Sequence, residues 1–234
     1  MPADDPSLRP DEHTYVRFTA AQMWSHLPLL LLGAAAFSLL CAPAAVLLYW
    51  NLIAAAILAA ALIVAPAWAA LLALEAEIVR EGQTKIGVLF RALPRYWARA
   101  ALLGAGLCVP LSVGALTLPL LAGPQAPLIV APAWVALLGL AADGFVLFFL
   151  TMLSLYAFPL LVLYDADLRT VLRNAFILSA RYLSNTLGLL GMGVLFYFAV
   201  VYLASGLLFF LPAVWGVFLV NNCRMVVDQE RRGK

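Results

Sequence analysis

Phe158 to Tyr182 reads FPLLVLYDADLRTVLRNAFILSARY, and the order of its residues decides the fold. An apolar run breaks into a short acidic turn and re-forms as a basic amphipathic helix, the pattern of a chain that leaves a bilayer and lies along its surface. After Asp165, Ala166 and Asp167, helical spacing over Leu168 to Tyr182 puts Leu168, Val171, Leu172, Ala175 and Phe176 on one side. Arg169 and Arg173 stand one turn apart, with Arg181 near the end. The acidic turn is suited to cap the new helix and to complement its dipole. A second junction has the same character: Thr84 to Arg99 reads TKIGVLFRALPRYWAR. Ile86, Leu89, Phe90, Leu93 and Trp97 form its apolar side, and Arg91, Arg95 and Arg99 recur every four residues. It is expected to lie in the headgroup region, with Pro94 opening the next helix.

Composition sets the solvent for this pattern. The chain has 234 residues, 65% apolar and 11% charged, with mean hydropathy +1.01; soluble domains are about 45–50% apolar and about 25% charged. The expected class is an all-α polytopic membrane helix bundle. Its apolar material is enough for about six spans of about 20 residues. With the two basic junctions this gives about six transmembrane helices plus two cytoplasmic interfacial amphipathic helices. Residues 1–22 read as a polar cytoplasmic tail, 23–224 as a single transmembrane domain and 225–234 as a polar cytoplasmic end. Ten-residue segments of alternating polarity, the mark of a membrane barrel, do not occur. A net charge of +2 gives no reason to expect a nucleic-acid partner.

The spans follow in order. Thr19 is placed to cap a helix starting near Ala20, and the first span runs from about Trp24 to Leu48, turning at Tyr49, Trp50 and Asn51. The second, about Leu52 to Leu74, contains Pro66. A proline there removes a backbone donor, so neighbouring helices must cover the freed carbonyl and this helix belongs inside the bundle. The third runs from about Ala98 to Leu121. Residues 128–163 would make a helix of about 54 Å, too long for one crossing. A span from Gly144 leaves Asp143 near the far interface as a helix start, with residues 128–142 interfacial or partly inserted. A fifth span, about Ser184 to Leu203, and a sixth, about Gly206 to Val220, meet at a short turn. Gly104 and Gly106 in the third span and Gly188, Gly191 and Gly193 in the fifth permit close helix approach.

On this layout all 14 Lys and Arg residues share one side. Basic residues beside short loops stay in the cytoplasm, so both termini are expected there. The arginines serve first to set topology and anchor lipid. Beyond that, Arg91, Arg95, Arg99, Arg169, Arg173 and Arg181 are candidates for docking anionic lipid headgroups or a partner. Asp143, the one ionisable group inside a long apolar run, is the candidate intramembrane polar site. Glu75 and Glu77 are expected at the surface, Glu77 pairing with Arg80. Cys41, Cys108 and Cys223 lack metal-ligand spacing, and His13 and His26 form no cluster with them. Without a phosphate loop or nucleophile grouping, neither a cofactor nor an enzyme is expected.

Two sets of residues resemble the YesL family of bacterial membrane proteins. One is Pro66, Ala67, Ala69 and Ala70 with Val79, Arg80, Glu81, Gly82 and the aromatic-basic helix around Phe90; the other is Phe158, Pro159, Leu160 and Leu161 with Asp165, Asn174 and Ala175. Glu75 and Glu77 depart from the basic residues usual in the family's second helix, and the N-terminal apolar region is longer. The resemblance implies a multi-pass protein of the bacterial cytoplasmic (inner) membrane, of a kind often encoded beside carbohydrate uptake systems, and supplies no catalytic residues. The expected function is therefore a non-enzymatic accessory or assembly component, in contact with the bilayer and with other membrane subunits. The alternative is a small transporter. A transporter needs polar groups at mid-bilayer, where Ser112, Thr117, Thr151 and Ser154 are almost the whole supply.

Overall fold

A computed structural model describes residues 15–81, 84–122 and 133–232. Among these the regular structure is entirely helical: α1 (Tyr15–Ser25), α2 (Leu27–Tyr49), α3 (Ile53–Ala59), a π-helical turn (Ala60–Val64), α4 (Ala65–Glu81), α5 (Gly87–Ala122), α6 (Ala133–Tyr164), α7 (Leu168–Arg181) and α8 (Leu183–Phe198). A second π turn (Ala199–Leu203), a 3-10 turn (Ser205–Phe209) and α9 (Leu211–Arg232) complete it. Five helical stretches among these residues are long and apolar enough to cross a membrane: Leu27–Tyr49, Ile53–Arg80, Gly87–Ala115, Leu137–Tyr164 and Leu183–Leu203. The chain is an all-α bundle of membrane-spanning character. The polar tail before residue 15 and residues 123–132, which include the start of the apolar run at 128, lie outside the described residues.

At the centre stands α4. Ala69, Ala70, Leu71, Leu72, Leu74, Glu75 and Ile78 are all covered, so every side of this helix meets protein. Alanine makes that possible by keeping the helix narrow, and glycines on three neighbours complete the fit. A Cβ on Gly33 of α2 would stand 2.8 Å from Leu74, and one on Gly104 of α5 would stand 2.5 Å from the Cβ of Ala65. On α9, a Cβ at Gly216 would stand 2.7 Å from the carboxyl carbon of Glu75. Of the other glycines read as packing residues, Gly193 abuts Trp215, whereas Gly106, Gly188 and Gly191 face open space.

Pro66 behaves as its chemistry requires. The π turn just before it sends the Ala65 N–H back to Ala60, and the Leu62 carbonyl accepts instead from the indole Nε1 of Trp97 on α5, at 3.0 Å. A neighbouring helix thus covers the carbonyl that proline leaves unpaired.

Several boundaries differ from expectation. The basic stretch before the third span is not a separate surface helix; α5 runs unbroken through Pro94 to Ala122. Its covered face is Val88, Leu89, Ala92 and Tyr96, while Phe90 and Trp97 remain exposed. Likewise α6 does not start at Gly144. It is a single helix of 32 residues with Asp143 in its interior, so Asp143 is not an N-cap, and the described part of 128–142 is continuous with the span. Thr19 is not a cap either, since α1 begins four residues earlier and buries it. The sixth expected span is short: from Leu211 to Arg224, α9 covers about 20 Å, less than a hydrocarbon core of about 30 Å. Ser38, midway along α2, donates to the Leu208 carbonyl at 3.3 Å, which sets the last turn beside the middle of that helix.

Two turns use the residues best suited to left-handed backbone. Asn51 (φ 60) and Asp165 (φ 48) are the positive-φ non-glycine residues among those described.

Trp97→Phe removes the donor to Leu62 and is expected to cost about 1–3 kcal/mol. Thermal unfolding in detergent should show that this cost shrinks in a Pro66→Ala background, where a backbone N–H returns. Gly104→Ala should destabilise by about 1–3 kcal/mol through overpacking, while Gly106→Ala changes stability by less than about 0.5 kcal/mol.

Candidate functional site

One end of the bundle collects the basic side chains. Arg80 at the close of α4 donates to the Leu163 carbonyl near the end of α6. Arg224 on α9 donates to the Val79 carbonyl at 3.2 Å, and the Arg231 guanidinium lies 5.5 Å from the ring centre of Tyr164. Arg181 pairs with Glu230. Gln22 of α1 reaches the Ile78 carbonyl at 3.4 Å. The described ends of α1, α4, α6, α7 and α9 therefore lie together, and the two basic junctions meet there.

Asp165 joins them. Its Oδ2 accepts from Arg95 at 2.6 Å and its Oδ1 from Arg99 at 2.5 Å, while Arg99 also donates to the Ala166 carbonyl at 3.1 Å. The arginine stripe of α5 thus clamps the turn that leads out of α6. Asp167 follows as the N-cap of α7, accepting from the Thr170 N–H at 3.1 Å. Hydrogen bonds from Arg95 and Arg99 hold the Asp165 carboxyl below its ordinary value of 3.8.

The six arginines singled out from sequence separate into two groups. Arg95, Arg99 and Arg181 are engaged in ion pairs within the chain. Arg91, Arg169 and Arg173 are exposed and make no ion pair among the described residues. Arg91 lines a cavity of about 420 Å³ at this end, with Glu77, Arg80, Arg95, Tyr96 and Asp165. Arg80 is committed to Leu163, and the expected Glu77–Arg80 pair is not among the ion pairs of the described residues. α7 turns Val171, Ala175, Leu178 and Ser179 inward, leaving Phe176 and Ile177 exposed beside the arginines. That apolar edge next to free cations is the chemistry of a headgroup interface.

A second polar set, not anticipated from sequence, lies deeper. Tyr156 of α6 is fully covered, and its hydroxyl is 3.5 Å from Asn222 Nδ2 and 3.4 Å from Thr186 Oγ1. Asn185 donates to Asn222 at 2.5 Å, and Asn221 donates to Gln22 at 3.2 Å and Thr19 at 3.4 Å. This seam ties α1, α6, α8 and α9 by hydrogen bonds, which replace the hydrophobic drive that lipid cannot supply. Single Asn and Thr residues carry no period, so only the Asn221, Asn222 pair within an apolar helix could have drawn attention.

Glu75 is the largest correction. Expected at the surface, it is fully buried, and both carboxyl oxygens lack a hydrogen-bond partner. Its position around the helix, not its distance from the basic junction, decides this: it points from α4 onto Gly216 of α9. Asp143 is half-buried and faces Gly114, where a Cβ would stand 3.1 Å from its Oδ2. It lies about 32 Å of helix from Tyr164.

Beyond Glu75, an apolar cavity of about 480 Å³ opens sideways between α5 and α8. Trp68, Phe158, Gly193 and Trp215 line its wall, and the exposed Leu111, Tyr197 and Leu208 form its rim. Phe37 meets Trp68 edge to face and Trp68 meets Trp215 at a tilt, with ring centres 5.8 and 5.5 Å apart. The indole Nε1 of Trp215 is buried without a partner. Cys41, Cys108 and Cys223 are free thiols, and no group of His, Cys, Asp or Glu able to hold a metal occurs among the described residues.

Compared with protein-family models, curated proteins and solved structures, the chain matches none.

Because the folded carboxyl of Asp165 is the more acidic one, its contribution to stability is complete above its ordinary value and is lost as pH falls through the depressed value. Asp165→Asn should lower the unfolding midpoint of the purified protein at neutral pH. The gap between variant and wild type should narrow as the pH is taken below 3.8, as a thermal-unfolding series against pH would read.

Proposed function

We propose that this protein is a non-enzymatic component of a membrane system, one that seats an apolar segment of another membrane subunit in its lateral cavity. The observation that carries the reading is that cavity: about 480 Å³, rimmed by exposed apolar side chains and walled almost entirely by apolar ones. The helix along one side of it is thinly covered, with 11% of the apolar window of Leu183–Leu203 buried against 61% for Ile53–Arg80. Leu27–Tyr49 is nearly as bare at 17%, so it is the cavity beside a thinly covered helix, and not the bareness alone, that suits this face to packing against something else in the bilayer. Trp215, with its unpaired N–H, would prefer an occupant bearing a hydrogen-bond acceptor.

The mid-span hydroxyls support the same reading over a permeation path. Ser112 donates to Cys108, Thr151 to Leu147 and Ser154 to Thr151, each at 2.7 Å and each to a carbonyl of its own helix. Hydroxyls engaged in this way offer little to a hydrated solute. The alternative, a small transporter, draws its support from Glu75, since a buried carboxyl among spans is a common feature of ion pathways. The resemblance to YesL proteins favours a system for carbohydrate uptake in a bacterial inner membrane. Under this proposal the free Arg91, Arg169 and Arg173 face anionic headgroups at the cytoplasmic surface, with both termini on that side.

A photoreactive residue at Tyr197, on the cavity rim, should give an adduct with a second membrane protein in native membranes, and one at the lipid-facing Leu39 should not. Adducts at Tyr197 with lipid alone, or with another copy of this chain, would overturn the accessory reading.

A further inference from the structure

We propose that Glu75 is a proton-binding site, taking up and giving up a single proton inside the bundle at the contact between α4 and α9. It goes beyond the subunit role above, and its failure would leave the reading of the lateral cavity untouched.

The case begins with what surrounds the carboxyl. Both oxygens are buried and neither accepts a hydrogen bond from any described residue. An ionised carboxylate held in this way is strongly disfavoured, because nothing replaces the water it has lost. Among the described residues no cation pairs with it to offset that cost. The described part of α2 carries no charged side chain, and its ionisable groups, Cys41 and Tyr49, lie toward its far end. On α9 the nearest ionisable groups beyond Gly216 are Cys223 and Arg224, and Arg224 is directed to the Val79 carbonyl. Tyr156 of α6 is engaged with Asn222 and Thr186. Arg91 and Arg95 of α5 line the cavity on the other face of α4, with Ala73, Ala76 and Glu77, and Arg99 is held by Asp165.

Space then decides the ligand. The carboxyl lies so close to Gly216 that a single added methyl would collide with it, and Glu75 lines neither cavity. A metal ion needs several further oxygen ligands, and a cationic organic group needs volume. The enclosure provides neither, whereas a proton needs only the carboxyl itself.

The site is also close to a source. Glu75 is five residues before Arg80, about 7.5 Å of helix from the basic end. Along the way, Gln22 reaches the Ile78 carbonyl one turn further on and is bonded to Asn221 of α9. Neutral polar side chains therefore reach to within one turn of Glu75 along α4. Proton release would place a negative charge against the Gly216 backbone, so the α4–α9 contact is the part of the fold that must respond.

The test uses the full-length protein in lipid nanodiscs. Dicyclohexylcarbodiimide, an apolar reagent that attacks protonated carboxyls, is applied across a pH series and its adduct located by mass spectrometry. Labelling at Glu75 is expected, falling about tenfold per pH unit above the midpoint as a single proton requires. In infrared spectra the corresponding carboxylic acid band should convert to carboxylate over the same range and be absent from Glu75→Gln. Gly216→Ala, which presses on the carboxyl without removing it, should displace the midpoint. Should Glu75→Gln not fold, labelling of the wild-type chain still reads the site. A Glu75 that takes no label at any pH, or equal label at every pH, overturns the proposal.

Discussion

A helix that is covered on every side constrains everything around it. In lipid there is no hydrophobic force to press helices together, so close contact has to come from shape and from hydrogen bonds. α4 achieves it with small side chains of its own and with glycines supplied by α2, α5 and α9. The approach is near enough that Trp97 of α5 reaches a backbone carbonyl beside Pro66. Proline, alanine and glycine, each poor at holding an isolated helix or at filling a core, work together here because the neighbours are already in place.

The same constraint explains the arginines. A basic stripe near a membrane reads as a surface feature, yet half of the residues in question fasten the ends of helices to one another. Asp165 can receive Arg95 and Arg99 together because its left-handed backbone turns the carboxylate toward α5 at the point where α6 stops. These pairs are partly exposed, so each contributes modestly to stability. Their value lies in geometry: they fix how far α6 runs before α7 begins. Arg91, Arg169 and Arg173 remain for whatever lies outside.

Local chemistry was legible in the sequence wherever a single residue type forces an outcome. Asp167 as a cap, Asn51 at a turn and Pro66 within a packed helix all needed only the properties of the side chain and its immediate neighbours. The amphipathic helix after Asp165 was legible too, because its arginines and apolar residues share one period. What escaped were features set by contact across the bundle. Pro94 and Gly144 have the chemistry of helix boundaries, but α5 and α6 run through them as single helices of 36 and 32 residues, each longer than the about 20 residues a crossing needs. Thr19, Tyr156, Asn185 and Asn222 come from distant parts of the chain and are joined only by the fold. Glu75 is the instructive case. Pro66 implies an interior helix, and a carboxyl on a helix enclosed on every side has little chance of reaching water; nearness to the basic end says nothing about which neighbour covers it.

Polar groups inside the bundle are distributed unevenly, and the unevenness carries a consequence. The seam formed by Thr19, Gln22, Tyr156, Asn185, Asn221 and Asn222, together with Glu75, belongs to the half nearest the arginines. The other half offers the aromatic walls of the lateral cavity and hydroxyls bonded to their own helices. Polar contacts in a low-dielectric setting resist slippage because breaking one leaves a buried group unpaired. The arginine end is therefore the rigid part, and the cavity end, held by apolar contact that lipid or a neighbour can equally provide, is the part free to adjust. Trp215 lines the cavity and Gly216, the next residue, carries the contact with Glu75. A change in what fills the cavity and a change in the charge on Glu75 thus act on adjacent residues of α9, which is a physical means of coupling the two.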